Sequence, residues 1–172
     1  MMFDLVTGLP LHPLVVHATE VIVPTAALVV VLAALWPSFR RWARFLPVGL
    51  ALVALVLVPI STQSGEALQE RVRQTSLIQT HVDMAEGLAP WVFVLLVVAA
   101  VQLWWNWNER EAASPRAPGW VALVLAVTAV LAASGTIVEA VRIGHSGATA
   151  TWSHVAISTN HAPAGEPDGG RL

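Results

Sequence analysis

No cysteine occurs in the 172 residues. That excludes disulfides, thiolate metal sites, cysteine-ligated iron–sulfur clusters and the covalent attachment of c-type haem. Lysine is missing too: all nine basic residues are arginine, a bias associated with GC-rich bacterial genomes. Charge of either sign is scarce, at 12% of the chain against 56% hydrophobic residues. A soluble domain carries roughly a quarter charged residues, so this chain lacks the polar material to cover a water-facing surface. The net charge of −2 offers nothing that would attract a nucleic acid. No nucleophile–base arrangement, glycine-rich phosphate loop or H-E-x-x-H motif is present, which leaves hydrolase and kinase chemistry without support. The opening "MMFDLVTGLP" has no basic region and the apolar segment after it is too long for a signal peptide. The first hydrophobic segment is therefore expected to stay in the mature protein.

Hydrophobic runs are what the chain has. Four segments, about 14–36, 46–63, 88–107 and 120–143, reach the roughly 20 helical residues that cross a bilayer. Prolines and loop residues bound them: Trp36-Pro37, Pro47, Pro90 and the "SPRAPG" stretch before Trp120. Pro24 and Pro59 fall inside spans, where neighbouring helices can accommodate a bend. Short links make the spans antiparallel neighbours, so the expected fold is all-α, a four-helix transmembrane bundle. Ala122, Ala126, Ala129, Ala133 and Ser134 on the last span suit close helix contact. Residues 64–82 are polar and helix-favouring, which predicts a helical extension or a surface helix outside the membrane, between the second and third spans. The membrane domain is expected over 1–157. A disordered tail should follow over 158–172, where Pro, Gly and small polar residues dominate.

Arginine sets the expected direction. Arg40, Arg41 and Arg44 crowd the first loop and Arg110 and Arg116 the third, so both loops should be cytoplasmic. Six of the eight tryptophans, Trp36, Trp42, Trp104, Trp105, Trp107 and Trp120, then form a belt at that interface. Both termini face outward, away from the cytoplasm.

All six histidines fall on the outward side: His12, His17, His81, His145, His154 and His161. Carboxylates join them at the hydrocarbon edge: Glu20, Glu66, Asp83, Glu86 and Glu139. An ionisable group within a span is costly and is by default a functional hypothesis. His17 with Glu20, and Glu139 with Arg142, have the i,i+3 spacing that puts side chains on one helix face. His17, His81 and His145 are the candidate imidazole ligands for haem b. With Glu20 they would suit an iron or zinc ion. Glu66, Glu139 and Arg142 complete a polar layer, in which Glu139 with Arg142 can equally be a structural ion pair. His12 precedes Pro13, which favours an extended conformation ahead of the helix. It reads as solvated, like His154 and His161, and His17 as the working residue.

Four stretches carry a family resemblance: "LHPLVVH" at the first span, "STQSGEA" after the second, "HVDMAEG" before the third and "RIGHSGATATW" after the fourth. Over most of residues 8–152 the chain resembles the domain-of-unknown-function 2231 family of predicted bacterial membrane proteins. The H-P-x-x-V-H element is the most specific part, here His12, Pro13, Val16 and His17. Many relatives continue with Phe-Pro where this chain has Ala18-Thr19-Glu20, and have Thr-Gly where it reads Thr62-Gln63-Ser64-Gly65. His145, Ser146, Gly147, Ala148 and Trp152 look like a subgroup version of a glycine-rich closing motif. The resemblance implies four helices and a membrane location without an established activity. Relatives that sit near cytochrome-type or iron–sulfur components tilt the expectation towards redox, by analogy alone. The leading expectation is a haem- or metal-binding redox component of the bacterial inner membrane, in contact with the lipid bilayer, a redox partner protein and, as a homo-oligomer, its own copies. The alternatives are a structural or assembly subunit and a small proton or solute transporter.

Overall fold

The computed structural model describes residues 5–6, 9–72, 74–110 and 119–160. Among them, two-residue antiparallel strands β1 (Leu5–Val6) and β2 (Leu9–Pro10) lead into α1 (Leu11–Leu35). Then come α2 (Pro37–Ala43), α3 (Leu46–Gln69), α4 (Ser76–Ala85), α5 (Leu88–Arg110) and α6 (Gly119–Asn160). Pro13, Pro37, Pro47 and Pro90 all sit in the first turn of a helix. A backbone N–H has no intrahelical partner there, so the prolines start helices rather than merely interrupt them. Pro24 and Pro59 lie inside α1 and α3. The polar 64–82 segment divides: its first residues extend α3, and Thr75 caps α4 by accepting the Ile78 N–H at 3.3 Å.

Four helical stretches are long and apolar enough to cross a membrane: Leu11–Leu35, Leu46–Gln69, Ser76–Asn108 (across α4 and α5) and Gly119–Trp152. The fold is all-helical apart from the short β1–β2 pairing. In the bundle, α1 packs on α3 and α6, and α5 packs on the same two, so α1 and α5 occupy one diagonal and α3 and α6 the other. The shared core is built from Val23 and Val30 of α1, Ala54 and Val58 of α3, Val92, Leu95 and Ala99 of α5, and Ala129, Ala132 and Ala133 of α6. Small side chains suit this environment. Lipid is as apolar as leucine, so helices associate through close van der Waals approach rather than hydrophobic exclusion. The large apolar residues Leu28, Phe93, Leu123, Leu131 and Val141 point outward.

Two expectations shift in register. On α6 the buried seam runs through Ala129, Ala132, Ala133 and Thr136, whereas Ala122 and Ser134 are exposed. The helix also continues to Asn160, through the first residues assigned to the tail; residues 161–172 lie outside the described residues. At about 1.5 Å per residue, α6, with its 42 residues, is roughly twice as long as the hydrocarbon is thick.

Candidate functional site

The polar side chains gather where α1 begins and α3 ends, and α4 and the outer part of α6 frame the same end. His12 is the key correction. It belongs to the first turn of α1 and is half-buried against α3, instead of lying extended in solvent. Its Nδ1 is 3.1 Å from the Ser61 carbonyl oxygen and 3.2 Å from Ser64 Oγ. A carbonyl oxygen can only accept, so Nδ1 carries the proton and donates. Ser64 Oγ donates in turn to the Ser61 carbonyl at 3.0 Å. The ring lies on Gly65: a Cβ there would stand 2.9 Å from His12 Cε1, 3.2 Å from Nδ1 and 3.6 Å from Nε2. A side chain at position 65 would have to displace the imidazole.

His81 repeats the arrangement on the other half of the molecule. From α4, its Nδ1 meets Ser146 Oγ on α6 at 2.9 Å. Ser146 Oγ donates to the Ile143 carbonyl at 2.8 Å, which leaves its lone pairs to accept the His81 Nδ1–H. A Cβ at Gly147 would stand 3.0 Å from His81 Cε1, 3.3 Å from Nδ1 and 3.6 Å from Nε2. The same atoms approach in the same order, within 0.1 Å of the distances at Gly65. Each imidazole is thus held through its Nδ1.

The other expected site residues are placed differently. His17 is exposed and bonds back to the Pro13 carbonyl of its own helix at 2.5 Å. His145 is exposed on α6. Glu20 is exposed but directs Oε1 towards Gly144, 3.5 Å from where a Cβ would be. Glu66 is exposed at the end of α3. Among the described residues no three His, Asp or Glu side chains stand together as a metal-holding group, so His17, Glu20, His81 and His145 are not gathered into one. The Glu139–Arg142 pair is formed, at 3.3 Å, with the carboxylate 14% and the guanidinium 59% exposed. Glu139 Oε1 also covers Gly87 at the α4–α5 turn, 2.9 Å from where a Cβ would be. Deeper in the bundle, the Trp91 ring of α5 packs against Gly135 of α6, and Thr136 donates to the Ala132 carbonyl at 2.8 Å.

Sequence reading passed over three features. Pro13 makes His12 read as solvated, and Ser-Gly occurs three times, at 64–65, 134–135 and 146–147, without pointing to a histidine by itself. Only the two copies at the histidine end of the spans are a signal that could have found the pair. Gln102, in the third span, is the last omission: it is 4% exposed and neither polar atom of its side chain has a partner among the described residues.

No curated protein and no solved structure matched the chain. A family model did: "Predicted membrane protein (DUF2231)" matches residues 8–160, a range that holds His12, Ser64, His81 and Ser146 together with all four apolar helices. The chain belongs to this family of predicted membrane proteins.

Proposed function

We propose that the protein is a redox or electron-transfer component of the bacterial inner membrane that holds a haem or a metal ion at its histidine-bearing end. In this reading His81 keeps the ligand role that its sequence position suggested, and His12 takes the one assigned to His17 and His145. The observation that carries it is the paired presentation of His12 and His81, each fixed at Nδ1 by a serine on a neighbouring helix. Neutral imidazole in this tautomer is the form that binds haem iron or a borderline metal, and a hydrogen bond at the remote nitrogen is the usual device for orienting such a ligand. The donor set therefore fits the group. A bound centre would supply one-electron chemistry. The chain's part is to present the two Nε2 atoms, to hold the rings against Gly65 and Gly147, and to keep them at the bundle end, within reach of a redox partner protein.

The assembly-subunit reading has an observation of its own. The same two contacts tie α1 to α3 and α4 to α6, which is what purely structural histidines would do. An absorbance spectrum and metal analysis of protein made with iron and haem supplied separate the two. The proposed function expects a coloured or metal-loaded protein that loses its cofactor in His81→Ala and in His12→Ala but keeps it in His17→Ala and His161→Ala. A colourless, metal-free protein that co-purifies with a partner would hand the molecule to the assembly reading.

A further inference from the structure

At the end of the bundle away from the histidines, the link between the first two spans is a small helix with two different sides. Only Trp36 separates α1 from α2, and only Arg44 and Phe45 separate α2 from α3. Links this short keep α2 at the level where both spans reach the membrane surface. It packs chiefly on α1. Ala43 is buried and Phe39 and Arg40 are half-buried beside it, while Ser38, Arg41 and Trp42 are exposed. Trp42 is 76% exposed, the most exposed large apolar side chain among the described residues. Its ring follows those of Trp36 and Phe39, with centroids 6.3 Å apart from Trp36 to Phe39 and 5.8 Å from Phe39 to Trp42. Past the helix end, Arg44 stands over the Phe45 ring with its Cζ 5.7 Å from the centroid.

The charge here is of one sign along the whole hairpin. From Val21 to Gly65 the chain holds Arg40, Arg41 and Arg44 and no Asp or Glu. One cation at the C-terminal end of α2 would answer the helix dipole; three, set among aromatic rings at the boundary, exceed that need. Arg41 donates one N–H to Ser38 Oγ at 3.1 Å. The serine hydroxyl keeps its own proton to donate, and the guanidinium keeps its remaining N–H groups. The exposed face thus offers two adjoining donors beside an indole suited to the headgroup layer. Phosphodiester oxygen, which accepts and cannot donate, fits such donors, and the planar guanidinium fork can meet it with two bonds. A zwitterionic lipid carries its own ammonium beside the phosphate and presents no net charge to the arginines, whereas an anionic lipid does. We propose that Ser38, Arg41 and Arg44 form a headgroup site for an anionic phospholipid of the bilayer, with Trp42 set among the neighbouring headgroups. A lipid held there fixes the α1–α3 link against the membrane surface. Nothing in the site depends on a cofactor at the histidine end.

The test uses the full chain in detergent micelles doped with equal amounts of phosphatidylglycerol and phosphatidylcholine, and native mass spectrometry reads which lipid stays bound. The expected result is phosphatidylglycerol retained in preference to phosphatidylcholine, the preference falling as the ammonium acetate concentration rises. Arg41→Gln and Arg44→Gln should each weaken retention about 5-fold, the usual effect of one arginine at an anionic surface. Arg71→Gln makes the same change of charge at an exposed position at the far end of α3 and should leave retention unaltered. Ser38→Ala and Arg41→Lys keep the net charge but break the donor pair, so each should weaken retention about 3-fold. Equal retention of the two lipids, or retention of neither, overturns the site. So does a loss in Arg71→Gln as large as in Arg41→Gln, or full retention in both Ser38→Ala and Arg41→Lys, because general surface charge would then be the whole effect. Displacement of the lipid by glycerol phosphate at matched concentration would assign the donors to a soluble phosphate and overturn the lipid. An acidic protein held through Arg41 and Arg44 in place of the lipid would overturn it as well.

Discussion

Several single residues are decided by space alone. At Gly135 a Cβ would run into the Trp91 ring, whereas at Gly49 nothing lies within 4 Å. Gly135→Ala must push an indole that is already 40% exposed further into lipid. We expect it to cost about 1–3 kcal/mol, the usual range for overpacking. Gly49→Ala should be neutral or stabilise by up to about 1 kcal/mol, because alanine favours helix over glycine. Thermal unfolding of both variants in one detergent checks the contrast, and equal stabilities would show that Trp91 moves freely. The glycines under His12 and His81 are a separate class: Gly65→Ala and Gly147→Ala should displace an imidazole, and with it any ion that the imidazole holds.

At the scale of the helix, α5 carries its buried residues at Leu88, Val92, Leu95, Ala99 and Gln102, alternating steps of four and three. That spacing keeps one face towards the bundle along the whole helix, so Gln102 occupies a core layer. A buried amide without partners costs about 1–3 kcal/mol, and Gln102→Leu should stabilise the fold by a similar amount. Chemical or thermal unfolding measures it, and a loss of stability would mean that the amide is satisfied by a bound water or ligand. On α6, the Glu139–Arg142 pair lies one turn apart with the arginine 59% exposed. Removing the acid leaves a guanidinium that water can solvate, so no buried charge is stranded. A double-mutant cycle on this pair should return a coupling below about 1 kcal/mol, and a value several times larger would place Arg142 in a drier setting.

For the whole molecule, the two ends of the bundle differ in chemistry. One carries His12, Ser64, His81 and Ser146. The other carries Arg40, Arg41 and Arg44 with exposed Trp36, Trp42, Trp104, Trp107 and Trp120, and Phe45 contacts Trp107 across the helix ends at 6.3 Å. Arginine excess marks the cytoplasmic side, and tryptophan suits the headgroup layer. The proposed orientation therefore puts the histidine end outward. Reporter fusions at Arg44 and Arg116 should behave as cytoplasmic, and outward behaviour at both would turn the imidazole pair to face the cytosol.

Composition and the four apolar runs were enough to determine an all-helical membrane bundle, because a chain with so few charges can satisfy its backbone in lipid only within helices or closed barrels, and runs of this length suit helices. First-turn prolines located the helix starts, since proline is tolerated there and costly further in. The position of His12, His17, His81 and His145 at one end of the bundle was equally legible from span order. Which of them faces a neighbour was not. His12 and His17 are five residues apart, about 140° around an α-helix, so they point to different sides of α1. A soluble helix would reveal its inner side by its apolar stripe, but a membrane helix is apolar all round and its sequence hides its rotation. Tertiary contact settled that rotation: small residues let the helices close, Gly65 and Gly147 admitted a ring each, and the serines beside them chose His12 and His81.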